Sequence, residues 1–220
     1  MLEQQDKKED MKKPSQEPVI DAAGLNMSGH ILIRDKETGE VIINKRNAIH
    51  YGNMARVVAL ALNNTAGAYI NYMAFGNGGT SIDTSGGRVI YKSPRVSESY
   101  EASTSLYNKT YHKDIQGVEA DDLNKIEIIT GPSYTDIKMT VTLGYAEPAD
   151  QDVFDNSTNN AGDYVFDELG VFTYPADATL PTDNAQFNTS TMLTHVIFHP
   201  VQKSQNRVIE IIYTIRIQLS

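Results

Sequence analysis

Hydrophobic and polar positions alternate most strictly over residues 206–220. Ile209, Ile211, Tyr213, Ile215, Ile217 and Leu219 fall on one parity; Glu210, Thr214, Arg216 and Gln218 fall on the other, with Val208 and Ile212 as apolar exceptions. A period of two is what a strand with one buried face requires, and the β-branched and aromatic side chains agree with it. So apolar a strand would template aggregation at an open sheet edge, so the pattern predicts a central strand on which earlier strands assemble. Residues 136–146 alternate as cleanly, with Ile137, Met139, Val141, Leu143 and Tyr145 set against Lys138, Thr140, Thr142 and Gly144. Shorter β patterns cover 70–75, 125–130, 164–174 and 192–199, with Pro200–Gln205 as the turn into the final strand. Residues 29–45 read as a hairpin around the turn composition of Asp35–Glu40.

Only residues 50–63 carry a convincing helical period. Met54, Val57, Val58, Ala61 and Leu62 form a one-sided stripe, which predicts packing on the core, and Asn63 and Asn64 mark its end. The expected fold class is mainly β: a β-sandwich with one packed α-helix and a long Tyr/Gly/Ser-rich excursion over 76–124. A stretch that long with little regular pattern is usually functional. Its tyrosines Tyr91, Tyr100, Tyr107 and Tyr111 suit an interface, because each offers a large apolar ring with a polar tip.

Composition divides the chain in two. Residues 1–27 are dominated up to Pro18 by Glu, Gln, Asp, Lys and Pro and have almost nothing to bury, so they read as an extended polar arm, disordered when alone. Residues 28–220 read as a single sandwich domain. The arm's cationic cluster, Lys7, Lys8, Lys12 and Lys13, stands out on a chain of net charge −9 and would suit the acidic 147–163 loop of a neighbouring subunit. That net charge argues against a generally cationic nucleic-acid surface and against anionic membranes. No apolar run reaches the roughly 18 residues of a membrane span, and the N-terminus lacks an apolar signal core. The chain reads as a soluble, cytoplasmically made protein.

Catalytic and metal chemistry finds little support. The absence of cysteine excludes disulfides, thiolate metal sites and a cysteine nucleophile. His195 and His199 lie four positions apart in a strand, about 13 Å at ~3.3 Å per residue, too far to share a zinc ion. Asp150, Asp152, Asp155 and Asp163 lack the order of a calcium-binding EF-hand loop. Gly76, Gly78 and Gly79 resemble a phosphate loop only in being glycines: no Lys follows and Ser81–Arg88 is turn-like, so they read as a turn that permits positive φ. Glu168 is flanked by Phe166 and Leu169 in an apolar strand. A carboxylate there is expected to accept hydrogen bonds from loop amides. Gly170, in the same strand, marks a bulge or a close backbone approach. No enzyme activity, cofactor or metal is expected.

Two of these segments carry a resemblance. Met73-Ala74-Phe75-Gly76-Asn77-Gly78-Gly79-Thr80 resembles the glycine turn of the N-terminal collar-attachment domain of tailed-phage tail fibres, and Phe166-Asp167-Glu168-Leu169-Gly170-Val171-Phe172 resembles that domain's E-x-G strand. The order of elements is similar too, and residues 29–220 as a whole look like virion structural proteins of T4-like myoviruses. Fibre proteins continue into a repetitive shaft, whereas this sequence stops at Ser220. The resemblance therefore implies an attachment or adaptor subunit of the tail, baseplate or neck, without its own fibre. It implies assembly into the virion in the host cytoplasm, contacts with other virion proteins and a symmetric homo-oligomer, with no membrane and no direct nucleic-acid partner. A capsid decoration protein, a carbohydrate-binding module using exposed tyrosines and a loop-based hydrolase are the other readings.

Overall fold

The structure is a computed structural model that describes residues 24–65, 68–96, 105–115, 123–145, 147–148, 164–173 and 190–219. The described elements, in chain order, are β1 (Leu25–Asp35), β2 (Val41–Arg46), β3 (Ala48–Ile49), α1 (Tyr51–Leu62), β4 (Ile70–Gly76), β5 (Thr80–Asp83), β6 (Arg88–Tyr91), β7 (Lys109–Asp114), β8 (Lys125–Thr130), β9 (Thr135–Leu143), β10 (Tyr164–Thr173), β11 (Thr191–Lys203) and β12 (Ile209–Leu219). They form one five-stranded sheet ordered β2-β1-β12-β9-β8, a second ordered β3-β11-β10-β4-β7, and a β5–β6 hairpin. Every pairing is antiparallel. Among the described residues the protein is a mainly β sandwich with one helix.

β12 takes the middle of the first sheet, paired along its length with β1 on one side and β9 on the other. Its alternation explains the place. Ile209, Ile211, Tyr213 and Ile215 are fully buried, and they meet Ile31 and Ile33 of β1 and Met139, Val141 and Leu143 of β9 in the inter-sheet core. The second sheet supplies Met73, Phe75, Tyr164, Phe166, Leu169, Val171, Val196 and Phe198 to the same core. α1 begins with His50, whose Nδ1 accepts from the Asn53 amide, and it is tied to β11 where the Asn53 side-chain amide donates to the Met192 carbonyl at 2.7 Å. Met54 and Val57 are buried, but Leu62, expected on the packed stripe, is exposed. The stripe outlasts the surface beneath it by a turn.

The described strands correct several boundaries. β1 starts at Leu25, so Leu25–Met27 belong to the sheet rather than to an arm ending at 27. Residues 1–23, with Lys7, Lys8, Lys12 and Lys13, lie outside the described residues, as do Tyr100 and 149–163 of the acidic loop. The 76–124 stretch is not simply a loop: it contributes the β5–β6 hairpin, where a turn was expected, and β7 at the edge of the second sheet. β11 continues through Pro200 to Lys203 instead of turning there. Between Phe166 and Glu168 the β10–β11 register shifts, from Val201 opposite Phe166 to Ile197 opposite Glu168. Pro200, which has no N–H to give a ladder, sits inside this bulge, where a proline is tolerated.

That bulge reverses the alternation of β10. Tyr164 and Phe166 face the inter-sheet core before it; Leu169 and Val171, of the other parity, face it afterwards. Glu168, Gly170 and Phe172 are thereby turned to the outer face, where Phe172 joins Tyr72, Ala74, Leu106 and Met192 in a second, smaller cluster.

Candidate functional site

The outer face of the second sheet holds the densest polar construction among the described residues. Glu168 lies opposite Gly76 on β4 and Ile197 on β11. Its carboxylate accepts four hydrogen bonds. Oε1 takes the amides of Gly78 (3.1 Å) and Asn108 (2.8 Å); Oε2 takes the amide of Tyr107 (3.0 Å) and His195 Nε2 (2.9 Å). Both side chains of the Glu168–His195 pair are fully buried. The neighbouring Asp167 completes the clamp: Oδ1 accepts the Gly79 amide at 2.8 Å, and Oδ2 accepts the Thr80 amide at 2.8 Å and the Thr80 hydroxyl. Two adjacent acids thus hold the 76–80 turn and the 107–108 segment, separated from them by 60 to 90 residues of chain.

His195 is oriented from its other side. Nδ1 accepts the Arg95 amide at 2.9 Å. An amide N–H can only donate, so the ring proton stands on Nε2, which donates to Glu168. Burial alone would raise the Glu168 carboxyl; the bonds from His195 and the Asn108 amide outweigh it and hold the group below the ordinary glutamate value. For Asp167 burial prevails over the Thr80 and Gly79 bonds, and the carboxyl is raised. With both His195 nitrogens and both Glu168 oxygens engaged, the pair is arranged to hold backbone in place, and no lone pair is presented to a substrate.

The glycines are required by space. Neither Gly76, Gly78 nor Gly79 has a positive φ, contrary to the sequence expectation; among the described glycines only Gly39 and Gly87 do. A Cβ at Gly76 would lie 2.4 Å from the Asn108 carbonyl oxygen and 2.6 Å from Glu168 Oε1, and one at Gly78 would lie 2.7 Å from the Asn108 nitrogen. At Gly79 it would crowd Asp167 and Ile197. Gly170 is a close approach of the same kind: a Cβ there would meet the Thr194 carbonyl oxygen at 2.6 Å. That oxygen belongs to the paired strand β11 and cannot yield cheaply. Gly170→Ala should therefore destabilise by about 1–3 kcal/mol, whereas Gly144→Ala, whose nearest neighbour would be Glu147 Oε2 at 3.5 Å, should melt close to the parent. Equal melting temperatures would remove the steric account of Gly170.

The tyrosines divide. Tyr107 lies over this network, its ring 4.4 Å from Lys92 Nζ and 5.7 Å from the His195 ring, and its hydroxyl donates to the Ser93 carbonyl at 2.9 Å. Tyr91 is about half exposed on β6 and its hydroxyl meets His199 Nδ1 at 3.0 Å. Tyr111, expected at an interface, instead turns toward the core, where its ring packs near those of Phe75 and Tyr164. Ile82 and Ile90, which sequence reasoning passed over, are exposed on the β5–β6 hairpin with Tyr91. Asp167, His195 and Arg95 were also missed as partners of the turn. Two adjacent acids inside an apolar strand were the available signal for Asp167.

β7 carries two cations forced toward neutrality. Burial lowers Lys109 to about 7, and burial together with Lys109 lowers His112 to about 4. The unfolded His112 binds its proton near the ordinary histidine value of 6.5. Between these values the unfolded chain holds more protons than the folded one, so stability rises with pH across that window. Thermal melts from pH 4 to 6.5 should show this slope, and His112→Gln should flatten it; an unchanged slope would show that other groups set it.

Among the described residues no group of three or more His, Asp or Glu side chains is placed to hold a metal ion, and no helix is long and apolar enough to cross a membrane. Comparison with protein-family models, curated proteins and solved structures finds no match.

Proposed function

We propose that this chain is a structural subunit of a tailed-phage particle, an adaptor or attachment protein of the tail, baseplate or neck that works through protein–protein contacts. The observation that carries the reading is the union of the two segments that resemble the collar-attachment domain. The Met73–Thr80 turn and the Phe166–Phe172 strand, far apart in sequence, pair through β4 and β10 and are locked by Asp167 and Glu168. A sequence likeness spread over two segments gains weight when they form one structural unit. The unit spends its polar groups internally and leaves an exposed hairpin bearing Ile82, Ile90 and Tyr91, a surface suited to a partner. Repetition around a symmetric assembly would multiply weak contacts of this size.

In this reading the N-terminal arm clamps a neighbouring subunit. The cut that tests it follows the observed start of β1: residues 24–220 keep the whole strand. The truncated protein should melt within a few degrees of the full chain yet incorporate poorly into particles, and incorporation of the full chain should weaken with salt. Incorporation equal to that of the full chain at every salt concentration would refute the clamp; a much lower melting temperature would assign the arm to its own core.

A further inference from the structure

A groove runs beside the clamp, between the β2–β3 side of the sandwich and the β5–β6 hairpin. Its deeper part, about 330 Å³, is lined by Lys45, Arg46, Asn47 and Lys92, with Tyr91 as one wall. It continues into a hollow of about 440 Å³ that shares Lys45 and Tyr91 and reaches Asn44 and His199. No Asp or Glu lines either part, although the chain as a whole has net charge −9.

Seven cations elsewhere on the described surface are ion-paired. Arg34 and Lys36 meet Glu210, Arg207 meets Asp35, Arg216 meets Asp136, Lys125 and Lys138 meet Glu127, and Lys113 meets Glu147. Lys45 and Lys92 instead donate to the Ile197 and Gly78 carbonyls, at 2.7 and 2.6 Å. Those bonds fix the two ammonium groups in the groove but neutralise no charge, and each ammonium has further protons to donate. Arg46 makes no ion pair among the described residues. Three positive groups gathered in a concave, carboxylate-free site concentrate a positive potential there and favour an anionic occupant.

The backbone decides which kind. Among the described residues β2 is the outermost strand of one sheet and β3 of the other, so main-chain donors and acceptors on these outer edges have no described strand beside them. An extended polypeptide satisfies such an edge while its side chains reach the walls; a sugar or phosphate polymer offers no matching ladder. We propose that this groove binds an extended acidic peptide segment of a neighbouring protein, its Asp or Glu carboxylates held by Lys45, Arg46 and Lys92 and its backbone laid along β2. That the neighbour belongs to a phage particle rests on the functional reading above; the groove's chemistry does not.

The test is fluorescence anisotropy of a labelled oligoglutamate titrated with the full-length protein in dilute buffer. Saturable binding is expected, weakening with salt. Arg46→Glu and Lys92→Met should each weaken it by about tenfold or more, the loss expected for a charge-assisted contact. Arg46 is the safer site, since it is exposed and holds nothing in place among the described residues, and its variant should melt as the parent does. Oligolysine should not bind. Absence of oligoglutamate binding, or binding indifferent to Arg46→Glu, would overturn the proposal. Tighter, Arg46-dependent binding of oligogalacturonate or of single-stranded DNA would overturn the peptide assignment. The purified protein suffices, so loss of this site would leave the role in the particle standing, and absence from particles would leave the site standing.

Discussion

Glu168→Leu should lower the melting temperature by roughly 6–20 °C, the shift expected for about 3–5 kcal/mol in a chain of this size. The substitution roughly keeps the side-chain volume but removes the acceptor for the Gly78, Tyr107 and Asn108 amides and for His195 Nε2. Each buried donor left without a partner costs about 1–3 kcal/mol, and here several are orphaned together where no water reaches Glu168 or His195. Glu168→Gln should lie between leucine and the parent, since one oxygen can still accept while the new amino group opposes existing donors. His195→Phe removes one donor to the carboxylate. Combined with Glu168→Leu it should add less than the sum of the two single losses, because both disturb one network. A Glu168→Leu protein that melts within about 2 °C of the parent, below a loss of ~1 kcal/mol, would show that the clamp does not hold the turn.

Truncation after Asn206 should abolish cooperative folding. β12 is paired on both sides, so its removal divides the first sheet into a β1–β2 hairpin and a β8–β9 hairpin, neither of which is stable alone in water. It also removes Ile209, Ile211, Tyr213 and Ile215, all fully buried. At about 1.5–3 kcal/mol each their loss matches the ~5–15 kcal/mol that typically stabilises a whole domain. The 1–206 fragment is expected in the insoluble fraction or without a melting transition by circular dichroism; a soluble fragment with a sharp transition would make β12 peripheral.

What could be read from the sequence follows from how local each constraint is. The position of β12 was legible because its period, propensity and length agree, and a central place buries Ile209, Ile211, Tyr213 and Ile215 against strands on both sides. The helix was legible from its stripe, but not Leu62, since the stripe cannot say where the sheet beneath ends. Glu168 was legible as an acceptor of amides because a carboxylate in a strand with Phe166, Leu169 and Val171 has few other options. Which amides it accepts was not, because the β10–β11 register shift decides the face on which Glu168 emerges, and no spacing in the sequence announces a bulge. For the same reason His195 could not be assigned to Glu168. Gly76, Gly78 and Gly79 were recognised as a turn but for the wrong cause: a glycine tolerates both positive φ and close approach, and only coordinates separate the two. β7, reading Lys-Thr-Tyr-His-Lys-Asp, was hidden in the excursion because it carries almost no apolar alternation.

We propose that the chain builds part of a phage particle, and electron cryo-microscopy of purified particles is the decisive experiment. Particles would be compared with and without an epitope label fused to this chain. Added density is expected at symmetric positions on the tail, baseplate or neck. The proposal is contradicted if the chain is absent from purified particles, and the assignment to the tail is contradicted if the label decorates the capsid shell alone.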